Sequence, residues 1–255
     1  MKTIDLNCDM GELPELIASG EQEALMEYVT SASIACGGHA GDEETMRATV
    51  QQAMRHGLAM GAHPGYPDWE NFGRVSLGLS WGEIAHAVYD QVCALDEVAQ
   101  ALGAKVTYVK PHGALYNDAV RDREVARGIA EGVARWSYDV VLIGLAGSVM
   151  LEVFLEAGFR AAAEAFVERR YEADGSLRAR RHADALIHAP EEAARQALEI
   201  VERGRVIAWD GTTVPLAADT LCIHGDSPRA LEIARAVREA LERSGARVAP
   251  LRPVV

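Results

Sequence analysis

The sequence predicts an α/β protein built on a closed or nearly closed barrel of seven parallel strands. Strand-like and helix-like segments alternate along the chain, polar and glycine-marked segments follow most strands, and the 255 residues are 49% hydrophobic. Parallel strands need a crossover between them, usually a helix. An open sheet concentrates its site at one switch point, whereas polar residues at most strand ends fit the rim of a barrel. We therefore predict one barrel domain over residues 1–255.

The predicted elements alternate along the chain. The strands are expected at Thr3–Cys8, Ala32–Cys36, a segment ending at His63, Val106–Lys110, Val140–Ile143, Ala161–Phe166 and Asp219–His224. The helices are expected at Glu21–Val29, Asp42–Gly57, Ser80–Gly103, Glu124–Trp136, a segment ending at Gly158, Pro190–Gly204 and Ser227–Gly245. Period-two alternation supports the strands, and capping residues with apolar periodicity support the helices.

Two segments depart from this alternation. Arg169–Ala189 is the least regular part of the chain, and its Asp174–Gly175 pair is a turn signal. We predict that this segment crosses over the functional site. Asp210–Gly211 predicts a hairpin turn before the seventh strand.

Composition narrows the class of partner. The formal net charge is −13, which matches nucleic acid or an anionic membrane surface poorly and favours a small molecule or another protein. The four cysteines are too far apart for a C-x-x-C motif. The start of the chain has the pattern of a strand rather than a signal peptide, and we find no apolar run long enough to cross a bilayer. We therefore expect a cytoplasmic protein with reduced thiols.

Histidines and acids recur where predicted strands end. They are Asp9, His39, His63, His112 and His224, with Glu12, Asp42 and Asp226 a few residues further on. Imidazoles and carboxylates that meet at one rim can bind a divalent cation or act as acid and base. The long spacings match no short ligand motif such as H-E-x-x-H, so the residues leave both a metal-activated water and a side-chain base open.

Lys110 shares a strand face with His112. Its ammonium could stabilise developing negative charge or hold a substrate carboxylate. The alternative is an ion pair inside the barrel with Asp5 or Glu164.

Hydrogen-bond donors and cations in the loops complete the candidates. They are Tyr116 and Asn117, which can donate hydrogen bonds, and Arg74, Arg169 and Arg181, which could bind an anionic substrate or phosphate. Cys36 faces away from His39 by strand parity, which argues against a nucleophilic thiol.

Several ordered blocks resemble a known family. They are Asp5–Glu12 (DLNCDMGE), Ile34–Asp42 (IACGGHAGD), Gly61–Asp68 (GAHPGYPD), Lys110–Asn117 (KPHGALYN), Gly144–Gly147 (GLAG) and His224–Asp226 (HGD). Together they resemble the LamB/YcsF family of bacterial 5-oxoprolinase A subunits, from about Thr3 to the last helix. The resemblance implies a distorted, TIM-like (β/α) barrel related to glycoside hydrolases and polysaccharide deacetylases. It also implies ATP-dependent hydrolysis of 5-oxo-L-proline to L-glutamate with separate B and C subunits.

The resemblance assigns roles to positions of this chain. The implied catalytic residues are Asp9, His39, His63, His112 and Lys110, and a metal ion, if one is used, is expected on Asp9, His39 and His63. From the resemblance and the residue types together, we expect the substrate-binding residues to be Asn7, Glu12, Asp42, Arg74, Tyr116, Asn117, Glu164, Arg169 and His224. Glu168 stands where the family usually carries Asp.

Two other functions remain open at this point. The same rim would suit a metal-dependent deacetylase or carbohydrate hydrolase that works alone. It would also suit a non-catalytic subunit that binds substrate while the chemistry occurs on a partner. In the 5-oxoprolinase interpretation ATP acts in the complex, with activation of the lactam on the B and C subunits.

Overall fold

The computed structural model describes residues 2–251, so Met1 and residues 252–255 of the predicted domain lie outside the described residues. Within this range, seven parallel strands form a closed barrel. They are β1 (Thr3–Met10), β2 (Ser31–Ala35), β3 (Ala59–His63), β4 (Val106–Val109), β5 (Val141–Leu145), β6 (Arg160–Phe166) and β9 (Thr220–His224). β1 pairs with both β2 and β9, which closes the barrel. The predicted barrel is confirmed, including its Ala-rich sixth strand.

Helices connect and cover these strands. They are α1 (Pro14–Ser19), α2 (Glu21–Met26), α3 (Glu43–His56), α4 (Trp81–Ala101), α5 (Gly113–Ala119), α6 (Arg123–Trp136), α7 (Val149–Glu156), α8 (Pro190–Arg203) and α9 (Ala230–Arg243). The predicted caps of α3 and α4 are confirmed, since Asp42 and Ser80 accept hydrogen bonds from backbone N–H groups three residues on. Helices α1 and α5 were not predicted, because such short segments show little of a 3.6-residue period; α2, also six residues long, was predicted as part of the longer segment Glu21–Val29.

Three short strands lie outside the barrel wall. β7 (Arg205–Ile207) and β8 (Thr213–Pro215) form an antiparallel hairpin around the predicted Asp210–Gly211 turn. β10 (Arg247–Val248) runs parallel to the start of β1. Among the described helices, none has the length and apolar character that crossing a membrane requires.

The segment between β6 and α8 contains no helix within residues 167–189, only two isolated bridges. Residues 176, 177, 179 and 180 of this segment line the main cavity. It therefore covers the site as the sequence predicted.

The barrel interior is unusually polar. Asp5 accepts hydrogen bonds from Thr30 at 2.7 Å and Ser31 at 2.6 Å, and burial raises the pKa of its carboxyl. Gly61 leaves room for the Tyr108 ring, because a Cβ at Gly61 would lie 2.1 Å from it. Polar side chains and one tyrosine thus fill the space that Val, Ile and Leu occupy in most parallel barrels.

Candidate active site

A cavity of about 910 Å³ opens at the carboxyl ends of the barrel strands. Its lining includes Asp9, Glu12, His63, Lys110, His112, Glu164, Arg169 and His224. These residues come from β1 and from the ends of β3, β4, β6 and β9, or directly follow them. Parallel strands bring their carboxyl ends to one rim, so side chains more than 200 positions apart in sequence meet here.

Glu12, His39, His63 and His112 form a buried cluster that we call the histidine cluster. Their ligand atoms all lie within 4.8 Å of one another. Glu12 Oε1 is 3.0 Å from His39 Nε2 and 3.2 Å from His112 Nδ1, and His112 Nδ1 is 3.1 Å from His63 Nε2. The His39 and His112 rings stack with centroids 3.5 Å apart.

Backbone carbonyls fix the tautomers of two imidazoles in this cluster. His63 Nδ1 donates to the Lys110 carbonyl at 2.7 Å, and His112 Nε2 donates to the Phe72 carbonyl at 3.0 Å, since a carbonyl oxygen can only accept. With these ring protons on the carbonyls, His63 Nε2 and His112 Nδ1 point towards each other. Glu12 Oε1 lies at the same centre, so three possible ligand atoms share a space that suits a cation or a shared proton.

The ionisation of the cluster favours metal binding. Burial lowers the pKa of His39 to about 4 and also lowers that of His112, so both rings are neutral at pH 7. Burial alone would raise the pKa of Glu12, but hydrogen bonds with His112 and His39 hold it below its usual value. Imidazoles and a carboxylate, with the ring N–H groups of His63 and His112 on backbone carbonyls, are the donor set of zinc-type sites. The residues therefore fit a divalent metal ion.

The loop before α4 builds one wall of the cluster. Gly73 has a φ of +61°, and a Cβ there would lie 2.7 Å from His39 Cβ and 3.1 Å from His112 Cδ2. Glycine therefore lets the loop approach both rings and place the Phe72 carbonyl on His112. Sequence reasoning missed Phe72, because a backbone carbonyl leaves no side-chain signal.

Lys110 is the centre of a second buried network. Its ammonium lies 2.5 Å from Asp9 Oδ1 and 3.3 Å from Glu164 Oε1, and it donates to Asn7 Oδ1 at 2.9 Å. Burial alone would lower the pKa of Lys110, but Asp9, Cys222 and Glu164 raise it well above its usual value, so the ammonium stays charged. Of the two barrel-interior partners expected for Lys110, Glu164 is present, and Asp9 rather than Asp5 is the other.

His224 forms a third group with Glu168. Glu168 Oε1 accepts from both the backbone N–H of His224, at 3.1 Å, and the ring Nδ1. The ring stacks on Phe166, and its Nε2 lies 4.0 Å from Asp9 Oδ2. In the sequence, Glu168 departs from the family motif, which usually carries Asp at this position. Its buried contact with His224 makes it part of the site.

Asp9, Cys222 and His224 also lie close enough together to hold an ion. Burial and Asp9 raise the pKa of Cys222 well above its usual value, so its thiol is neutral. The carboxylate of this group, Asp9, is already paired with the Lys110 ammonium, so the histidine cluster, with three imidazoles and one carboxylate, is the better cation site. Strand parity with His224 was the signal that could have identified Cys222 in the sequence.

Comparison with known proteins identifies the family of this chain. The LamB/YcsF family matches residues 4–255 of the chain. The chain belongs to the LamB/YcsF family. It is 50% identical over 245 residues to a protein of Chloroflexus aggregans that is named as the 5-oxoprolinase A subunit, covering 96% of this chain and 97% of that relative. It is 50% identical over 242 residues to a protein of the same name from Bordetella parapertussis, covering 95% and 96%.

Solved structures agree with this membership of the LamB/YcsF family. The lactam utilization protein from Thermus thermophilus has a TM-score of 0.91 and 45% identity, covering 98% of this chain and 100% of that one. The catalytic domain of a peptidoglycan N-acetylglucosamine deacetylase from Eubacterium rectale has a TM-score of 0.51 and 10% identity, covering 98% and 89%. The second likeness shows the fold alone, and it confirms the deacetylase-like barrel that the family resemblance implied.

The structure separates the LamB/YcsF motif residues by position. The predicted metal residues His39 and His63 lie in the histidine cluster with Glu12 and His112. Asp9 lies beside this cluster, with Oδ1 2.5 Å from Lys110 Nζ and Oδ2 3.4 Å from His63 Nε2. Asn7 is fully buried, and its amide donates to Glu164 at 3.0 Å and Thr220 at 2.8 Å. It supports the site from within the barrel.

The remaining predicted binding residues differ in their access to the cavity. Tyr116, Asn117, Arg74 and Arg169 line it, and Arg74 pairs with Asp226 at 2.5 Å across the rim. Asp42 caps α3 and is not among the lining residues, and neither is Arg181. Cys36 is buried, and burial raises the pKa of its thiol to about 12, in agreement with the argument against a nucleophile.

Proposed function

We propose that this chain is the A subunit of a 5-oxoprolinase, which hydrolyses 5-oxo-L-proline to L-glutamate at the expense of ATP together with B and C subunits. The observation that carries the proposal is near-full-length identity of 50% to relatives named as 5-oxoprolinase A subunits, in a chain whose cavity collects a buried histidine cluster. Its substrate-sized cavity and lack of basic surface excess support a small-molecule reaction.

The chemistry explains the need for ATP. A lactam is an unreactive amide, and transfer of the γ-phosphoryl group to its oxygen releases ADP and makes the ring carbon a better electrophile. Water then adds to that carbon, the ring C–N bond breaks, and the nitrogen takes up a proton. A second water hydrolyses the resulting acyl phosphate to glutamate and phosphate. We assign activation to the B and C subunits and ring opening to the cavity of this chain.

Different side chains of the cavity have different roles in ring opening. The acceptor atoms of Glu12, His63 and His112 can take the proton of the attacking water. Lys110 supplies a fixed positive charge for the developing oxyanion. In its doubly protonated form, with Nδ1–H held by Glu168, His224 presents Nε2–H as the group that protonates the departing nitrogen. A divalent ion bound by the histidine cluster would add Lewis-acid polarisation of the reacting oxygen.

Reconstitution tests the proposal. The purified chain is incubated alone and with the B and C proteins in the presence of 5-oxoproline, ATP and a divalent ion, and glutamate and ADP are measured. We expect glutamate only from the complete mixture. His63→Gln should abolish it, whereas His86→Gln should not, because His86 is an exposed α4 residue paired with Asp90.

The two alternatives give different results in the same experiment. Metal-dependent release of acetate from N-acetylated sugar oligomers by the chain alone would favour a free-standing deacetylase. If variants of Glu12, His63 and His112 weaken substrate binding but leave the turnover of bound substrate unchanged, the chain only binds substrate and the chemistry belongs to a partner.

A further inference from the structure

Arg169 is a buried cation of the cavity with no ion-pair partner among the described residues. The residue is 6% exposed and lines the cavity just beyond β6. Its Nη2 donates to the Arg178 carbonyl at 2.8 Å, but its buried Nε has no hydrogen-bond partner within residues 2–251. Lys110, the other buried cation of this cavity, is held between Asp9 and Glu164. A buried guanidinium with an unused N–H group indicates a missing acceptor.

A second arginine, Arg180, adds positive charge to the same cavity. Arg180 also lines the cavity, and in the described part of the chain no carboxylate pairs with it or with Arg169. The two guanidinium groups repel each other, and burial together with Arg180 lowers the pKa of Arg169 to about 10. Arg169 remains charged at pH 7. Arg180 is exposed to solvent, whereas Arg169 is buried, so Arg169 is the cation of this pair that an anion from outside the protein would stabilise most.

Residues 167–189, the segment that covers the cavity, hold Arg169 and Arg180 in place. Arg178 lies between the two arginines in sequence and is fully engaged, with Glu172 at 2.9 Å, Asp184 at 2.8 Å and the Trp209 ring 4.2 Å from its guanidinium carbon. The Arg178 backbone N–H also donates to the Arg170 carbonyl at 2.9 Å, which ties the two sides of the segment together. The charges that neutralise Arg178 are therefore not available to its neighbours.

We propose that Arg169, assisted by Arg180, is the subsite for the carboxylate of the substrate, and that it selects lactams with a carboxylate beside the ring nitrogen over simple lactams. This inference rests on the proposed function, in which the substrate carries one permanent negative charge before activation. The planar guanidinium matches a planar carboxylate, and charged hydrogen bonds of this kind are the strong ones. The phosphoryl group on the activated lactam is the other anion that Arg169 could bind. The experiments below distinguish the phosphoryl group from the carboxylate.

Substrate analogues provide the first test, because they need no variant. In titration calorimetry with the chain alone, 5-oxo-L-proline should bind at least about tenfold more tightly than 2-pyrrolidinone or the methyl ester of 5-oxoproline, from the strength of a hydrogen bond to a charged group. Equal affinity for the three compounds would overturn the inference.

Variants in the reconstituted complex provide the second test. Arg169→Gln should raise the KM for 5-oxoproline at least about tenfold, with partial recovery in Arg169→Lys, and Arg180→Gln should have a smaller effect in the same direction. Arg181→Gln is the matched control, since Arg181 is exposed and outside the cavity lining. ADP formation driven by 2-pyrrolidinone, which lacks the carboxylate, should be the same in Arg169→Gln and wild type.

The outcomes distinguish this inference from the proposed function. If the wild-type complex makes glutamate and Arg169→Gln has a normal KM, the carboxylate subsite is wrong while the function stands. If Arg169→Gln impairs the reaction of 2-pyrrolidinone as much as that of 5-oxoproline, Arg169 serves the phosphoryl group and the inference is again wrong. If the wild-type complex makes no glutamate, the proposed function fails, and the calorimetric comparison still decides whether the cavity selects a carboxylate.

Discussion

Replacing Lys110 by Met is the sharpest test of the buried network, because it removes the charge and nearly keeps the volume. Lys110 is 1% exposed and lies 2.5 Å from Asp9 and 3.3 Å from Glu164. At an effective dielectric constant of about 20, these separations correspond to gross attractions of roughly 7 and roughly 5 kcal/mol, most of which desolvation offsets. Removing one member of a buried pair leaves uncompensated charge and typically costs about 3–5 kcal/mol. We expect a loss of that size in the free energy of unfolding at pH 7.

The loss should depend on pH with a definite sign. In the wild type, the pKa of Asp9 is well below its usual value, so its contribution is present above the unfolded carboxyl pKa of about 3.9 and is lost as pH falls through the folded value. The pKa of Lys110 is raised, so its contribution is present below the unfolded value of about 10.4 and is lost as pH rises through the folded one. Without Lys110, a carboxyl of the network takes up a proton as pH falls. The difference between variant and wild type should therefore shrink from pH 7 to pH 5.

Urea denaturation followed by circular dichroism at pH 5 and pH 7 measures both effects. Lys105→Met is the matched control, because Lys105 is exposed at the start of the same strand region and should change stability by less than about 1 kcal/mol. A Lys110→Met variant that loses no more than this control at pH 7, or loses the same amount at both pH values, would refute the reasoning.

Three further predictions concern metal, packing and thiols. Glu12→Gln should lower the affinity for Zn²⁺ at least about tenfold in competition with a chelator, whereas His86→Gln, on the exposed face of α4, should bind as the wild type does. Gly61→Ala places a methyl group into a buried tyrosine ring and should cost at least about 1–3 kcal/mol, or several degrees in Tm by calorimetry, while Gly82→Ala meets no atom within 4 Å and should leave Tm unchanged or higher. Thiol labelling of the native protein should modify Cys93 first. Cys93 is half-buried, whereas the other three cysteines are buried and burial raises the pKa of their thiols further. An unchanged labelling rate in Cys93→Ser would contradict this.

The fold was predictable because its signals are local. Each barrel strand ends at a polar or glycine-marked segment, and each long helix has a cap and an apolar stripe that the sequence displays directly. The same local signals identified most residues of the cavity. Helix α1 was missed because it follows Glu12 after a single residue and is too short to show a period.

The sequence predicted which residues form the site better than it predicted how those residues contact one another. Glu12 lies beyond β1, after Gly11 turns the chain with a φ of +76°, and this turn brings it into the histidine cluster, beside Asp9, whose Oδ2 lies 3.4 Å from His63 Nε2. No sequence spacing encodes that direction. Arg180 was missed for a different reason, since the segment that carries it has no periodicity from which a facing direction could be inferred.

The cavity contains two sets of unsatisfied polar groups. One set would be stabilised by a positive charge and the other by an anion. His63 Nε2, His112 Nδ1 and Glu12 Oε1 point into one buried space, which suits a cation or a shared proton. Arg169 has an unused donor and no carboxylate paired with it in the described part of the chain, so it requires an anion. An oxygen of a lactam ring would be repelled by the histidine cluster alone, but not by the same cluster holding a positive charge. A carboxylated lactam that binds with a cation or proton satisfies both sets at once, and a simple lactam or an isolated acetyl group satisfies only one.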